Sequence, residues 1–318
     1  MKYIVHCNAW GDGMQVNTTV VPELLLPFED LKVQCKSIGV EFITEPEIQD
    51  GMEIICALFI DCPPVDDPLL KRWVHKGIPN LWLMICENLY LQPNKTYSGI
   101  APFADKIFSY EAEPAWPEKT TRLRYPVDLE CSLESRRLSF NQERKYLCGM
   151  INSFKQSPYP GDLYQRRAGL AYALNLNLGE KFALWGHGWP FPGSLGRLSG
   201  GPNSKHLAYA SCEFAVCMEN NNSIPGYVTE KLFNALAAGC IPIYEYCEDD
   251  PEIPQDVFIN AKHFGHPDEI IDLIRGMGPN EKREYRAAGT RFLESPRAYH
   301  FDSKRYVETL FEEVKNLL

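Results

Sequence analysis

The sequence predicts an α/β protein made of two open-sheet domains in series. Three observations carry that expectation. Short apolar runs of strand character alternate with amphipathic helical ones along most of the chain, the pattern of a sheet with helices on both faces. A charged stretch with three prolines, Glu111–Asn141, interrupts the alternation and reads as the end of one domain and a linker. The length, 318 residues, suits two domains of roughly 150 residues each. The apolar and charged fractions, 45% and 23%, are those of a globular chain and exclude a disordered or collagen-like one.

In order along the chain, strands are expected at Lys2–Cys7, Glu41–Thr44, Glu53–Phe59, Asn80–Ile85 and Lys106–Ser109. In the first of these, Tyr3, Val5 and Cys7 alternate against Lys2 and His6, the period-two signature of a strand. Helices are expected at Val21–Ile38 and at Pro68–His75, where Leu69 and Trp73, then Leu70 and Val74, fall four apart. The second series starts at Lys145. Its strands are Tyr146–Ile151, Phe182–Trp185, Phe214–Met218, Ile241–Tyr244 and Val257–Asn260. Its helices are Gly161–Asn175, Ser204–Ala210, Thr229–Ala238, Asp268–Arg275 and Pro279–Ser295. A last helix, Ser303–Leu318, places Tyr306, Leu310, Val314 and Leu317 on one side. The expected domains are therefore 1–143 and 144–302, with 303–318 packing back on them. Two such domains predict a ligand cleft at the carboxyl ends of their strands.

Charge and cysteine usage narrow the function classes. The 42 acidic against 32 basic residues give a net charge of −10, which argues against binding a nucleic-acid polymer. The 11 cysteines contain no CxxC pair, so neither a disulfide framework nor a zinc site is expected. The N-terminal run lacks a signal peptide's apolar core, and the longest apolar stretch, Ile54–Ile60, is too short to span a membrane. The expectation is a cytoplasmic protein with no transmembrane segment and at most peripheral membrane contact.

The segment from Phe214 to Phe264 carries the chemistry. An apolar strand ends at Glu219-Asn220, and a polar loop with Pro225-Gly226 follows. Thr229 stands where a helix N-cap is wanted. Leu232, Phe233, Leu236 and Ala237 make one apolar helical face, and Gly239 marks the stop. A helix N-terminus at a strand's exit offers N–H groups to an anion. Lys231 in the first turn opposes the helix dipole unless an anion sits in front of it. Beside it, Glu230 is suited to sugar hydroxyls. The pair suits a nucleotide diphosphate with its ribose or sugar. It also fits an ordinary surface Glu–Lys pair on a packing helix.

The run Glu219-Asn220, Gly226-Tyr227-Val228-Thr229-Glu230-Lys231-Leu232, Asn234-Ala235-Leu236, Ala238-Gly239 and Pro242 resembles the signature of the α-1,3/1,4-fucosyltransferases, glycosyltransferase family 10. Phe258-Ile259-Asn260 and Phe264 continue it, and Asp105–Tyr110 with Tyr125-Pro126 resembles a first-domain segment of the same family. The resemblance implies a GT-B architecture: two Rossmann-like domains facing across a cleft, with the nucleotide sugar held mainly by the second. It implies a GDP-fucose donor, inversion at the anomeric carbon, a glycan acceptor of N-acetylglucosamine-containing type, and no cofactor or metal. By position it implies donor contacts from Asn220, Tyr227, Thr229, Glu230 and Lys231. It also implies a diphosphate-holding arginine on the first helix of the second domain, Arg167 by spacing or else Arg166. Glu245-Tyr246 departs from the family, where a glycine usually follows the strand; this leaves another GDP-activated sugar, or a degenerate glycan- or nucleotide-binding module, as alternatives.

Inverting transfer needs a base for the acceptor hydroxyl and fixed cations for the leaving diphosphate. Glu87 is the candidate base. It is the one acidic residue between Asp67 and Asp105 and follows the strand Asn80–Ile85. The glycine-rich loop Gly186-His187-Gly188 with Gly200-Gly201-Pro202 either borders the nucleotide or is plain loop. The loops Asn8–Thr19 and Leu91–Pro102 are expected to meet the acceptor. Glu248-Asp249-Asp250 reads as a solvated acidic turn. The absent membrane anchor and disulfides suggest a bacterial or viral type of enzyme in glycan biosynthesis.

Overall fold

The structure is a computed structural model that describes residues 1–8, 22–64, 66–86, 97–139, 142–190, 195–196, 204–247 and 250–318. Glu87, Gly200-Gly201-Pro202, Glu248-Asp249 and most of the two expected acceptor loops lie outside the described residues. The chain divides into two units, Met1–Pro126 with Ser303–Leu318, and Val127–Asp302.

The first unit runs β1 (Lys2–Asn8), α1 (Pro22–Ser37), β2 (Val40–Ile43), β3 (Glu53–Ile60), α2 (Pro68–Lys76), β4 (Leu81–Met84), α3 (Tyr97–Ile100), β5 (Lys106–Ser109) and β6 (Thr120–Arg122). Its strands form one sheet in the order β2-β1-β3-β4-β5-β6, parallel throughout. The second unit holds α4 (Leu129–Ser139), β7 (Tyr146–Ile151), α5 (Tyr164–Leu178), β8 (Phe182–Trp185), α6 (Ser204–Ala210), β9 (Cys212–Val216), α7 (Glu230–Ala237), β10 (Ile241–Tyr244), β11 (Ile259–Asn260), α8 (Pro267–Gly276), α9 (Pro279–Leu293) and α10 (Pro296–Tyr299). Its sheet, also parallel, has the order β11-β10-β9-β7-β8. The chain then returns to the first unit as α11 (Ser303–Lys315).

Continuous apolar strands are what a parallel sheet covered on both faces requires. All four residues of β4, β8 and β10 are buried. In the first unit, Tyr306, Leu310 and Val314 of α11 join Leu31 and Cys35 of α1 in the core over β1 and β3. In the second, two apolar layers flank the sheet. Leu232, Phe233 and Leu236 of α7 lie in one, and Leu170 and Leu174 of α5 in the other. Burying each such side chain contributes roughly 1.5–3 kcal/mol.

The stretch expected to hold the end of one domain and a linker contains the boundary between the two units, after Pro126. It contains β6, a three-residue polar edge strand, and α4. On α4 the inward face is mixed: Leu129, Arg136 and Ser139 are buried while Leu138 is exposed. Arg136 donates to the carbonyl of Leu236 at 3.2 Å, to that of Arg286 at 2.7 Å and to Thr290 Oγ1 at 3.1 Å. It thereby satisfies a carbonyl at the end of α7. Burial, with repulsion from Arg144 and Arg286, brings its pKa down to about 10. Leu129 and Leu133 of α4 pack in the same core as α7, so the inward face mixes two leucines with an arginine and a serine, and α4 belongs to Val127–Asp302.

Among the described residues no helix is long and apolar enough to cross a membrane.

His6 on β1 supplies a test of the first unit. Burial, then the charge of Lys32, lowers its pKa to about 4, against partial offsets from Glu47 and Glu29. The imidazole is therefore neutral in the fold, while the unfolded chain takes up a proton near pH 6.5. Its contribution is present above about pH 6.5, is lost as pH falls towards about 4, and levels off below; it amounts to at most about 3 kcal/mol. Urea unfolding at pH 7 and pH 4.5 should show a smaller acid-side loss for His6→Asn than for the unsubstituted chain.

Candidate functional site

In the second unit the chain leaves β7 towards β8 on one side and returns to β9 on the other. The exits of β7 and β9 therefore diverge, and an open sheet binds ligands at that reversal of strand order. The two exit loops are zipped together. Asp162 pairs with Asn221 in an antiparallel bridge, Leu163 N–H donates to Asn220 O at 3.0 Å and Asn222 N–H to Gly161 O at 2.8 Å. Gly161 has φ +73°, and a Cβ there would run into the Ser223 hydroxyl. Glycine is thus required where these loops meet.

Arg167 rises from α5 into this region. Its residue exposure is 3%. One Nη donates to Asn220 Oδ1 at 2.8 Å, and the guanidinium carbon sits 4.7 Å from the centre of the Tyr164 ring. Asn220 in turn reaches the Tyr227 hydroxyl at 3.5 Å. The Arg167 Nε is buried with no hydrogen-bond partner among the described residues. Burial lowers its pKa, which the charges of Tyr164, Glu219, Tyr227 and Asp162 only partly restore. A buried cation with an unmet donor is costly, and a bound anion or hydroxyl would satisfy it.

Arg166, its neighbour, is fully engaged in structure. It binds Glu245 Oε2 at 2.6 Å and the carbonyls of Ala261 and Phe264 at 2.5 and 2.9 Å. Glu245 is buried and accepts from Asn222 Nδ2 at 3.0 Å. The two arginines that sequence left as alternatives therefore differ sharply. Arg166 clamps β10 to the β11 side of the sheet, and Arg167 carries the open donor.

α7 begins at Glu230, with Thr229 at the N-cap position as expected, but the Thr229 side chain does not cap. Its hydroxyl turns to Glu219, 3.0 and 2.9 Å from the two carboxylate oxygens. Lys231 Nζ lies 2.8 Å from Thr229 Oγ1 and 3.2 Å from Glu219 Oε2. The anion inferred from the cation in the first turn is, in the chain alone, Glu219. Glu230 carries a second ammonium beside it, Lys205 Nζ at 3.6 Å. Burial works against the Glu230 charge, yet Lys231 and Lys205 outweigh it and leave its pKa below the usual range.

The structure thus gathers Arg167, Asn220 and Tyr227 in one hydrogen-bonded set, and Lys231 and Glu230 at the start of α7. Sequence reasoning assigned no role to Glu219 or Lys205. A glutamate directly ending an apolar strand run was the available signal for Glu219; Lys205 had none. Glu87 is outside the described residues. Just before it, Cys86 N–H donates to Asp61 Oδ1 at 2.8 Å, and Asp61 itself has φ +61°. The glycine loop is packed structure where it is described: Trp189 Nε1 donates to Asn152 O at 2.7 Å and its ring meets Phe154 edge-on.

Comparison with known proteins adds to this geometry. A 4-galactosyl-N-acetylglucosaminide 3-alpha-L-fucosyltransferase 9 of Mus musculus is 33% identical over 87 residues, 25% of this chain and 23% of that protein. An alpha-(1,4)-fucosyltransferase of Arabidopsis thaliana is 33% identical over 85 residues, 26% and 21% of the two chains. The matched part thus spans less than a quarter of these relatives' length. Among solved structures, an alpha1,3-fucosyltransferase superposes with a TM-score of 0.59 at 15% identity, covering 98% of this chain and 89% of the other. An alpha-glucosyltransferase in complex with UDP and DNA gives 0.60 at 12%, covering 99% and 100%. Those likenesses establish the GT-B fold, as the resemblance implied. The family model described as glycosyltransferase family 10 (fucosyltransferase) C-term matches residues 184–288, which contain β9, the α7 site and β10. Over that span the chain is similar to the C-terminal region of glycosyltransferase family 10.

Proposed function

We propose that the protein transfers fucose from GDP-fucose to a hydroxyl of a glycan, with inversion at the anomeric carbon. The observation that carries this reading is Arg167, a buried guanidinium with an unmet donor at the strand-order reversal. It lies in a unit that contains the span similar to family 10. Arg167 binds the diphosphate through its planar fork. Lys231 adds a point charge, and the N-terminus of α7 adds oriented N–H groups. As the bond to the sugar breaks, negative charge grows on the leaving GDP, and these groups lower the barrier because they are already in place. Glu230 accepts from hydroxyls of the sugar or ribose. Asn220 and Tyr227 hold Arg167 in orientation, and Thr229 does the same for Lys231. Glu87 takes the proton of the attacking hydroxyl. The side-chain cations do what a divalent ion does in other transferases, so the reaction proceeds without a metal.

A second reading keeps the nucleotide site and changes the sugar. Glu245 motivates it, because a carboxylate stands where the family usually has glycine. Its engagement by Arg166 and Asn222 favours a structural role for it, and so favours fucose. Assaying turnover across GDP-sugars separates the readings: GDP-fucose is expected to be consumed, and turnover of another GDP-sugar alone would overturn the fucose assignment. With the active protein, Glu87→Gln is expected to cut kcat by about a hundredfold or more and leave GDP affinity within twofold, the effect of losing a general base. Unchanged kcat would remove Glu87 from the mechanism.

A further inference from the structure

Glu219 is a wholly buried carboxylate that no step above uses. Its Oε1 accepts from Thr229 N–H at 2.8 Å, the Thr229 hydroxyl at 3.0 Å and the Tyr244 hydroxyl at 2.9 Å. Its Oε2 faces the Thr229 hydroxyl at 2.9 Å and Lys231 Nζ at 3.2 Å. It is also among the charges felt by Arg167. All of these partners are donors and one is an ammonium, so the carboxylate sits as a counter-charge beneath the cations of the site. The Lys231 side chain keeps 19% of its surface exposed. The lysine side chain is thus partly open to an incoming anion, while Glu219 is covered.

We propose that Glu219 is an internal counter-ion, which holds Lys231 in place in the ligand-free protein and yields it to the diphosphate. This rests on the donor reading above and deepens it, because it makes Glu219 a positioning residue that sets how tightly the nucleotide is held. Lys231 stands in the first turn of α7, where a cation opposes the helix dipole. Glu219 removes that conflict and fixes the lysine before the ligand arrives. The same charge then opposes the diphosphate once it is bound. The site is ordered in advance at the expense of affinity, which suits an enzyme that must release GDP.

Glu219→Gln keeps the shape and an acceptor for Thr229 N–H but removes the charge. It is expected to bind GDP and inorganic pyrophosphate roughly fivefold tighter than the unsubstituted protein at low salt, with the difference shrinking as ionic strength rises. A role in packing alone predicts the reverse, since a loosened network binds its ligand less well. Tyr244→Phe removes a hydrogen bond from the same carboxylate without its charge and is expected to give no tightening.

Titration calorimetry of the three proteins with both probes reads this directly. Unchanged or weakened binding by folded Glu219→Gln, or equal tightening by Tyr244→Phe, overturns the counter-ion. Lysine ε-carbon NMR of the unsubstituted protein, with the Lys231 signal assigned through Lys231→Arg, tests it without Glu219→Gln. The signal is expected to move on saturation with pyrophosphate, and a signal that stays put overturns the proposal. Pyrophosphate binding with the Lys231 shift, but no binding of GDP, would leave the counter-ion standing and sink the donor reading.

Discussion

Arg167→Met is expected to abolish the stabilisation of the protein by GDP without lowering its melting temperature in the absence of ligand. Two opposed contributions lead to this. A guanidinium bound to a diphosphate makes charge-assisted hydrogen bonds of about 1.5–3 kcal/mol each, so losing a two-pronged contact weakens GDP binding by two to four orders of magnitude. In the free protein the same residue is a liability. It is buried, its pKa is lowered by that burial, and its Nε has no partner among the described residues. Its one polar bond, to Asn220, recovers only part of the desolvation cost, and an apolar side chain of similar length removes the cost altogether. At 100 times its dissociation constant, GDP should raise the stability of the unsubstituted protein by about 2.7 kcal/mol, and that of Arg167→Met by nothing measurable.

Arg166→Met serves as the contrast. It leaves the Glu245 carboxylate buried without its cation, held by Asn222, and takes a donor from the carbonyls of Ala261 and Phe264, which costs about 3 kcal/mol. The two adjacent substitutions therefore have opposite signatures, one losing ligand and the other stability. Thermal melts with and without GDP distinguish them. A ligand-free melting temperature that drops for Arg167→Met and holds for Arg166→Met would exchange their roles.

How far the sequence reaches follows from what each signal measures. Hydrophobic period reports which residues face the core, and it located the strands and the main helices because parallel strands covered on both faces are continuously apolar. It missed α4, whose inward face mixes Leu129 and Leu133 with Arg136 and Ser139, and β6, which is short, polar and at an edge. Charge reasoning marked Lys231 as a cation that opposes the helix dipole unless an anion faces it, and the structure places Glu219 beside it. It could not find that anion in the chain, because Glu219 precedes Lys231 by twelve residues and reaches it only through the loop between β9 and α7. Arg166 and Arg167 are adjacent and chemically identical; only the helix phase, which turns one towards Glu245 and the other towards Asn220, separates them. Spacing within the family signature was therefore a better guide to the site than composition, and the packing around each side chain was needed to say what it does.

Gly186→Ala is expected to be the most damaging small substitution in the second unit. Gly186 follows β8 and has φ +143°, and a Cβ there would lie 1.9 Å from the carbonyl oxygen of Asn152 and 2.5 Å from its carbon. Both are backbone atoms, so no rotamer change relieves the overlap. The exit of β7 has to move. That exit is tied down by Asn152 N–H to Trp185 O at 2.9 Å and by Phe154 N–H to His187 O at 2.8 Å, besides the bond from Trp189 Nε1 to Asn152 O. Overpacking and strain of this kind cost about 3 kcal/mol or more, or roughly 6–12 °C in melting temperature for a unit of this size.

Gly77→Ala isolates the steric part. Gly77 also has positive φ, +63°, but nothing lies within 4 Å of the point where a Cβ would stand, so only the left-handed backbone penalty of about 1 kcal/mol applies. The ligand site supplies a second readout. The β7 exit leads into the loop that pairs with Asn221, so displacing it disturbs Asn220 and with it Arg167. Gly186→Ala protein that remains folded at low temperature should bind GDP at least tenfold more weakly, while Gly77→Ala binds it normally. Equal stability losses at the two glycines would mean that the β7 exit yields freely. In that case the donor site is held by the β9 loop alone.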